Sequence, residues 1–104
     1  MSDIENITNI IVHTVKPERV YLFGSYADGI PNASSDYDFY VVVPDDGERP
    51  SVLTEIIYHA LYGKTGSKPV DVLVKCYSDF ESRKTLPTIE REVIRKGVLL
   101  YGAS

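Results

Sequence analysis

Asp36 and Asp38 stand two residues apart at the head of the segment Asp36-Tyr37-Asp38-Phe39-Tyr40-Val41-Val42-Val43, whose aromatic and β-branched composition predicts a strand. Residues i and i+2 of a strand share a face, so the two carboxylates emerge side by side. Such a pair repels itself unless a cation sits between its members or one carboxyl keeps a proton. Aspartate is unfavourable in strands, so two of them opening this one require a chemical reason. Oxygen donors of this kind suit hard ions, Mg²⁺ or Mn²⁺, rather than zinc. Asp71 lies in a second β-prone run, Val70 to Lys75. Alternation groups it with Leu73 and turns Val70, Val72 and Val74 to the other side. If that strand neighbours the first, Asp71 can join Asp36 and Asp38. Three carboxylates could then hold two metal ions about 3.5–4 Å apart, the arrangement that clamps attacking and leaving oxygens in phosphoryl transfer. Gly24-Ser25 follows a third β-prone run, Val20 to Phe23. Glycine lets the backbone approach a ligand closely, and Ser25 offers a hydroxyl and an N–H. A helical turn starting there would aim its free N–H groups at an anion.

These residues need elements to hold them. Ile4, Ile7, Ile11 and Val15 recur at helical spacing, with Ser2 or Asp3 available as N-cap and Pro17 as the stop. Gly29, Pro31, Asn32, Ser34 and Ser35 mark residues 26–35 as a loop. The Asp36–Val43 strand ends at Pro44, and residues 45–50 form a turn-rich linker. Val52, Leu53, Ile56, Ile57, Ala60 and Leu61 make one face of an amphipathic helix that opens at Pro50 and closes at Gly63. Ser78 and Glu81 read as a capping box for a short helix. A further helix follows Pro87 and stops at Gly97, and Val98–Tyr101 is a final strand. The order α-β-β-α-β-α-α-β predicts an α/β (α+β) domain spanning 1–104, with a mixed, mostly antiparallel four-stranded sheet flanked by helices. The helices are expected on one face, with the carboxylates at an open cleft.

Composition narrows the function. The chain has 104 residues and a formal charge of −4, which fits one modest core and argues against direct nucleic-acid binding through Lys and Arg. A small nucleotide stays compatible, because a bound cation reverses the local sign. Cys76 is the lone cysteine, so no internal disulfide forms, as suits a reducing compartment. No basic stretch precedes an apolar run at the N-terminus, and no apolar stretch approaches a membrane span. The expectation is a cytoplasmic protein.

Gly24-Ser25, ten intervening residues and then Asp36-Tyr37-Asp38 resembles the glycine-serine and Asp-x-Asp signature of the polymerase-beta-like nucleotidyltransferase superfamily. More narrowly, Gly24-Ser25-Tyr26-Ala27, Gly29, Ser35-Asp36-Tyr37-Asp38 and Val70-Asp71-Val72 resemble the minimal nucleotidyltransferase (MNT) proteins, single domains of about this length. The resemblance implies that fold, with Gly24 and Ser25 on the β- and γ-phosphates of ATP or another nucleoside triphosphate. It implies Asp36 and Asp38 on two Mg²⁺ ions, with Asp71 completing the acceptor-side metal site and helping to activate the attacking hydroxyl. It further implies transfer of AMP to an acceptor with release of pyrophosphate, and a HEPN-domain partner in a toxin–antitoxin pair, some of which are adenylylated on tyrosine. One position departs: many relatives carry Arg where this chain has Asp28, an acid that adds repulsion near the phosphates.

Other features have plainer readings. Gly63-Lys64-Thr65-Gly66 resembles a P-loop fragment, but position 58 is Tyr where the motif needs glycine, and the fragment follows a helix. His13 and His59 read as surface residues, and Cys76 has no partner base. Arg91 and Arg95, near Arg83, Lys84 and Lys96, form a basic patch with two readings, contact with a partner or nucleotide and a solvated face with Glu92–Lys96 pairing, of which the second is favoured. Tyr26 and Tyr37 flank the site and could contact a base, with packing as the default role, and Asp45-Asp46 reads as solvated. Three functions fit: a transferase acting on a partner protein, a non-catalytic antitoxin that neutralises its partner by contact, and a transferase for a small molecule such as an aminoglycoside. Asp28 favours the second. The short chain argues against the third, and it implies that a partner or a second copy of the chain completes the site.

Overall fold

The computed structural model describes residues 3–24, 36–65 and 68–102. Ser2, Ser25, the predicted loop 26–35 with Tyr26, Asp28 and Gly29, and Gly66 lie outside the described residues. The elements are α1 (Asp3–Val15), β1 (Arg19–Phe23), β2 (Tyr37–Val43), α2 (Pro50–Leu61), β3 (Val70–Cys76), α3 (Tyr77–Arg83), α4 (Ile89–Lys96) and β4 (Val98–Tyr101). The strands form one sheet in the order β3-β2-β1-β4. β1 pairs antiparallel with β2 and with β4, and β2 pairs parallel with β3. The sheet is therefore mixed and mostly antiparallel. Parallel neighbours need a crossover, and α2 is the element that makes it.

β2 is the centre of this arrangement. Its residues from Phe39 to Val43 are all buried, and a strand buried on both sides needs cover on both sides. On the first face Ile7 and Ile11 of α1 and Ile57 and Leu61 of α2 pack on Val20, Leu22, Phe39, Val41, Val43, Val72 and Val74. On the second face Phe80 of α3 and Val93 of α4 pack on Tyr21, Tyr40 and Val42. The expectation of helices on one face is thus corrected. Tyr21, Tyr40 and Val42 alternate onto the second face and carry too much apolar surface to stay wet. The unbroken run Phe39-Tyr40-Val41-Val42-Val43 is the signal for two-sided burial.

Two local readings also change. β2 starts at Tyr37, so Asp36 precedes the strand and does not open it. The Ser78–Glu81 capping box does not form. β3 runs directly into α3, Cys76 takes the cap position without a side-chain hydrogen bond, and Tyr77 is already helical. The Ser78 N–H donates instead to Asp45 Oδ1 at 2.9 Å, and Glu81 pairs with Lys84 at 2.9 Å. That bond from the Ser78 backbone holds the Asp45 carboxyl below its usual range. Asp45 therefore ties the linker after β2 to the start of α3, a role its loop position did not reveal.

The outer edge of β3 is closed at one point by a side chain: the Val72 N–H donates to the Tyr58 hydroxyl at 2.8 Å. A satisfied edge donor is one fewer template for unwanted strand pairing. Gly63 adopts φ +73° just after α2, the left-handed geometry of a helix-ending turn. His13 bonds the Asn9 carbonyl of its own helix at 2.8 Å and is exposed, as is His59.

Candidate active site

The parallel β2–β3 ladder sets Asp38 opposite Asp71. The antiparallel β1–β2 ladder sets Phe23 opposite Asp38. Paired residues share a face, so Phe23, Asp38 and Asp71 form a row across three strands. The row lies on the second face, because Asp38 alternates in step with Tyr40 and Val42, and Phe23 packs on that face's cluster. Asp36 sits immediately before β2, where the Tyr37 N–H donates to the Pro69 carbonyl at 3.1 Å and ties this segment to the head of β3.

Asp38 feels its surroundings. Partial burial pushes its carboxyl above the ordinary range, and the negative charges of Asp71 and Asp36 push it further. The structure thus brings Asp38 and Asp71 together, with Asp36 close enough to repel. Among the described residues, no three His, Cys, Asp or Glu side chains are grouped as a cage for one ion. The donor chemistry nonetheless fits a hard divalent cation. All three groups are carboxylates, two stand in register, and a cation would relieve the repulsion they impose on one another.

Gly24 ends β1 with φ +77°. A Cβ placed there would fall inside the contact distance of Asp38 Oδ2. Glycine is therefore required both for the backbone conformation and for the room Asp38 occupies. Gly24→Ala is expected to rotate the Asp38 carboxylate off its rotamer and to strain the backbone, destabilising the fold by about 1–2 kcal/mol. Any activity that depends on Asp38 should fall about tenfold or more. Melting curves and transfer assays on the one variant check both effects. An alanine variant with wild-type activity contradicts the steric argument.

Beside the row lies a cleft of about 220 Å³ lined by Phe23, Gly24, Glu92 and Lys96. Tyr37 points away from it, into the first-face core, and its hydroxyl donates to Asp3 Oδ2 at 3.4 Å. The packing role expected of Tyr37 holds. Cys76 contacts Ser78 Oγ at 3.8 Å and stands at the far end of β3 from Asp71.

Under the second face lies a group that sequence reading missed. Glu90 is fully buried and accepts hydrogen bonds from the Tyr40 hydroxyl at 2.7 Å and from Arg83 Nε at 2.9 Å. Burial alone would push its carboxyl up. The bonds from Tyr40 and Arg83 outweigh that and hold it below the usual range. A Glu in the first turn of a helix reads as solvated, and only the seating of α4 on the sheet puts it inside.

A sheet of this topology, a glycine against an aspartate, and a carboxylate row define a class. Residues 5–104 match the family described as polymerase beta, nucleotidyltransferase, and the chain belongs to that family. Among solved structures, a toxin–antitoxin with AMP-PNP is 25% identical, with 96% of this chain and 74% of that chain covered and a TM-score of 0.61. A candidate nucleotidyltransferase from Sulfolobus solfataricus is 19% identical, covering 96% and 78%, with a TM-score of 0.63. A mutant of the MntA-HpeT toxin–antitoxin is 20% identical, covering 100% and 76%, with a TM-score of 0.62. The last two share the fold. None of the curated proteins matches the sequence. No helix among the described residues is long and apolar enough to cross a membrane.

Proposed function

We propose that this chain is a metal-dependent nucleotidyltransferase that moves AMP from ATP to a hydroxyl of a partner protein, the HEPN-domain toxin of a toxin–antitoxin pair. The observation that carries the reading is the register of Asp38 against Asp71, with Gly24 packed on the Asp38 carboxylate. Asp36, Asp38 and Asp71 would hold Mg²⁺, which supplies charge neutralisation at the triphosphate and at the attacking oxygen. Gly24 and Ser25 would seat the β- and γ-phosphates. Asp71 would take the proton of the acceptor hydroxyl, whose oxygen forms a bond to the α-phosphorus. The bond between the α-phosphorus and the bridging oxygen breaks, and pyrophosphate leaves with that electron pair.

The family supports nucleotidyl transfer. The toxin–antitoxin setting and the nucleotide are features of similar structures, one of them with AMP-PNP. Asp71 is exposed and Asp38 half-buried at the end of the row, so a partner surface can reach the carboxylates. Incubation of the chain with its partner, ATP and Mg²⁺, followed by intact-mass spectrometry, tests this. The expected result is a partner heavier by one AMP, with no adduct from the Asp36→Asn/Asp38→Asn variant. A stable complex without adduct would favour a non-catalytic antitoxin, the reading that Asp28 supports.

A further inference from the structure

The cleft beside the carboxylate row ends on α4, an element that the roles above leave unused. Glu92 and Lys96 line it together with Phe23 and Gly24. We propose that Lys96 binds the nucleoside triphosphate through its β- and γ-phosphate oxygens, and that Glu92 is the carboxylate from which the triphosphate takes it. This rests on the nucleotidyltransferase reading and extends it.

Position supports the assignment. Gly24 immediately precedes Ser25, the proposed phosphate contact, and Lys96 shares the cleft with Gly24. The Lys96 backbone is also well placed in advance. The next residue, Gly97, donates its N–H to the Val93 carbonyl at 2.8 Å, and Val98 then pairs with Leu22 of β1. The last turn of α4 is thus pinned to the strand that delivers Gly24.

Charge supports it too. Asp38 and Asp71 make the row acidic, Asp36 stands just before it, Asp28 follows Ser25 by three positions in the sequence, and the chain carries −4 overall. A polyanionic triphosphate needs a cation here beyond any that neutralises the aspartates. Of the described residues lining the cleft, Lys96 is the cation. Lysine suits this task as a mobile point charge on a long stem.

Availability completes the case. The Lys96 side chain is 63% exposed and pairs with Glu92 at 3.5 Å, one helical turn back. An exposed pair of this kind is weakly held and exchanges readily for a phosphate. Glu92 also lies 3.9 Å from Arg95, so it keeps a cation when Lys96 leaves. Arg95 does not line the cleft.

Isothermal titration of the full chain with ATP and Mg²⁺ tests the proposal on four variants. Lys96→Gln is expected to weaken binding about tenfold, and Lys96→Arg to restore most of it. Glu92→Gln should tighten binding about threefold, because it releases Lys96 and removes a charge that repels phosphate. Arg95→Gln should bind within about twofold of wild type. A merely structural role in α4 would move Lys96→Gln and Glu92→Gln in the same direction and lower both melting temperatures. Wild-type affinity in Lys96→Gln, or equal weakening by Glu92→Gln, overturns the proposal while leaving the transferase reading in place. No binding by the wild-type chain overturns both.

Discussion

Asp38→Asn is expected to reduce nucleotidyl transfer roughly a thousandfold or more while the fold stays intact or gains stability. The two effects have opposite signs for one reason. Asp38 is partly buried and faces the like charges of Asp71 and Asp36, and these conditions disfavour its ionised form. The neutral amide removes that repulsion, so the melting temperature should equal or exceed the wild-type value. The same substitution removes a charged oxygen from the row opposite Asp71, and the amide that replaces it offers a cation one neutral oxygen with no charge to neutralise it. Strain of this kind at a functional centre is maintained by stability elsewhere in the fold. Transfer of label from α-labelled ATP and differential scanning calorimetry on one preparation read both quantities. An Asn variant that transfers at the wild-type rate would remove Asp38 from the chemistry.

The largest effect on stability should come from the buried Glu90–Tyr40 pair under the second face. Glu90→Ala is expected to destabilise the protein by about 2–4 kcal/mol. Tyr40 is fully buried, and its hydroxyl donates to Glu90 at 2.7 Å. Truncation leaves that hydroxyl without its acceptor and opens a void. Arg83 adds little to this loss, because its side chain is 48% exposed and water can replace the carboxylate. At roughly 4–8 °C per kcal/mol for a domain of this size, the melting temperature should fall by about 8–32 °C. Glu90→Gln keeps an acceptor for Tyr40 and should lose less.

The pH dependence has a definite sign. The folded Glu90 carboxyl titrates below its ordinary value of 4.5, so its stabilisation is complete above that value and is lost as pH falls through the folded pKa. Urea midpoints at pH 7 and at about pH 3.5 should therefore fall further for wild type than for Glu90→Gln. Equal drops in the two proteins would show that folding leaves the Glu90 pKa unshifted, and a smaller drop in wild type would show that Glu90 stays protonated in the fold.

Much of the candidate site was legible in residue types and spacing. Asp36 and Asp38 stand two apart, Asp71 sits among alternating valines, and Gly24-Ser25 follows an apolar run. Each of these is a local pattern, set by strand alternation or by the conformational freedom of glycine. Helical periodicity located α1 and α2, and Thr88 and Gly97 bound α4 near the predicted limits. What local pattern does not carry is which strand lies beside which. The pairing of Asp38 with Asp71 depends on β3 crossing over to run parallel to β2, a contact between segments far apart in sequence.

The remaining differences share that cause. Phe39 to Val43 form a continuous apolar run, yet whether a second layer covers them is decided by where α3 and α4 come to rest. Glu90 and Glu92 lie two residues apart on one short helix. Seating α4 by Val93 buries Glu90 against Tyr40 and leaves Glu92 at the cleft with Lys96. Asp45 is a loop residue until β3 brings the Ser78 N–H to it. Sequence by itself marked out the order of the elements, the carboxylates of the candidate site and the glycine before them, because each follows from short-range sterics and periodicity. Tertiary structure decided the register that sets Asp38 against Asp71, the second helical layer and the partners of the buried and paired charges, because these arise only when distant segments pack.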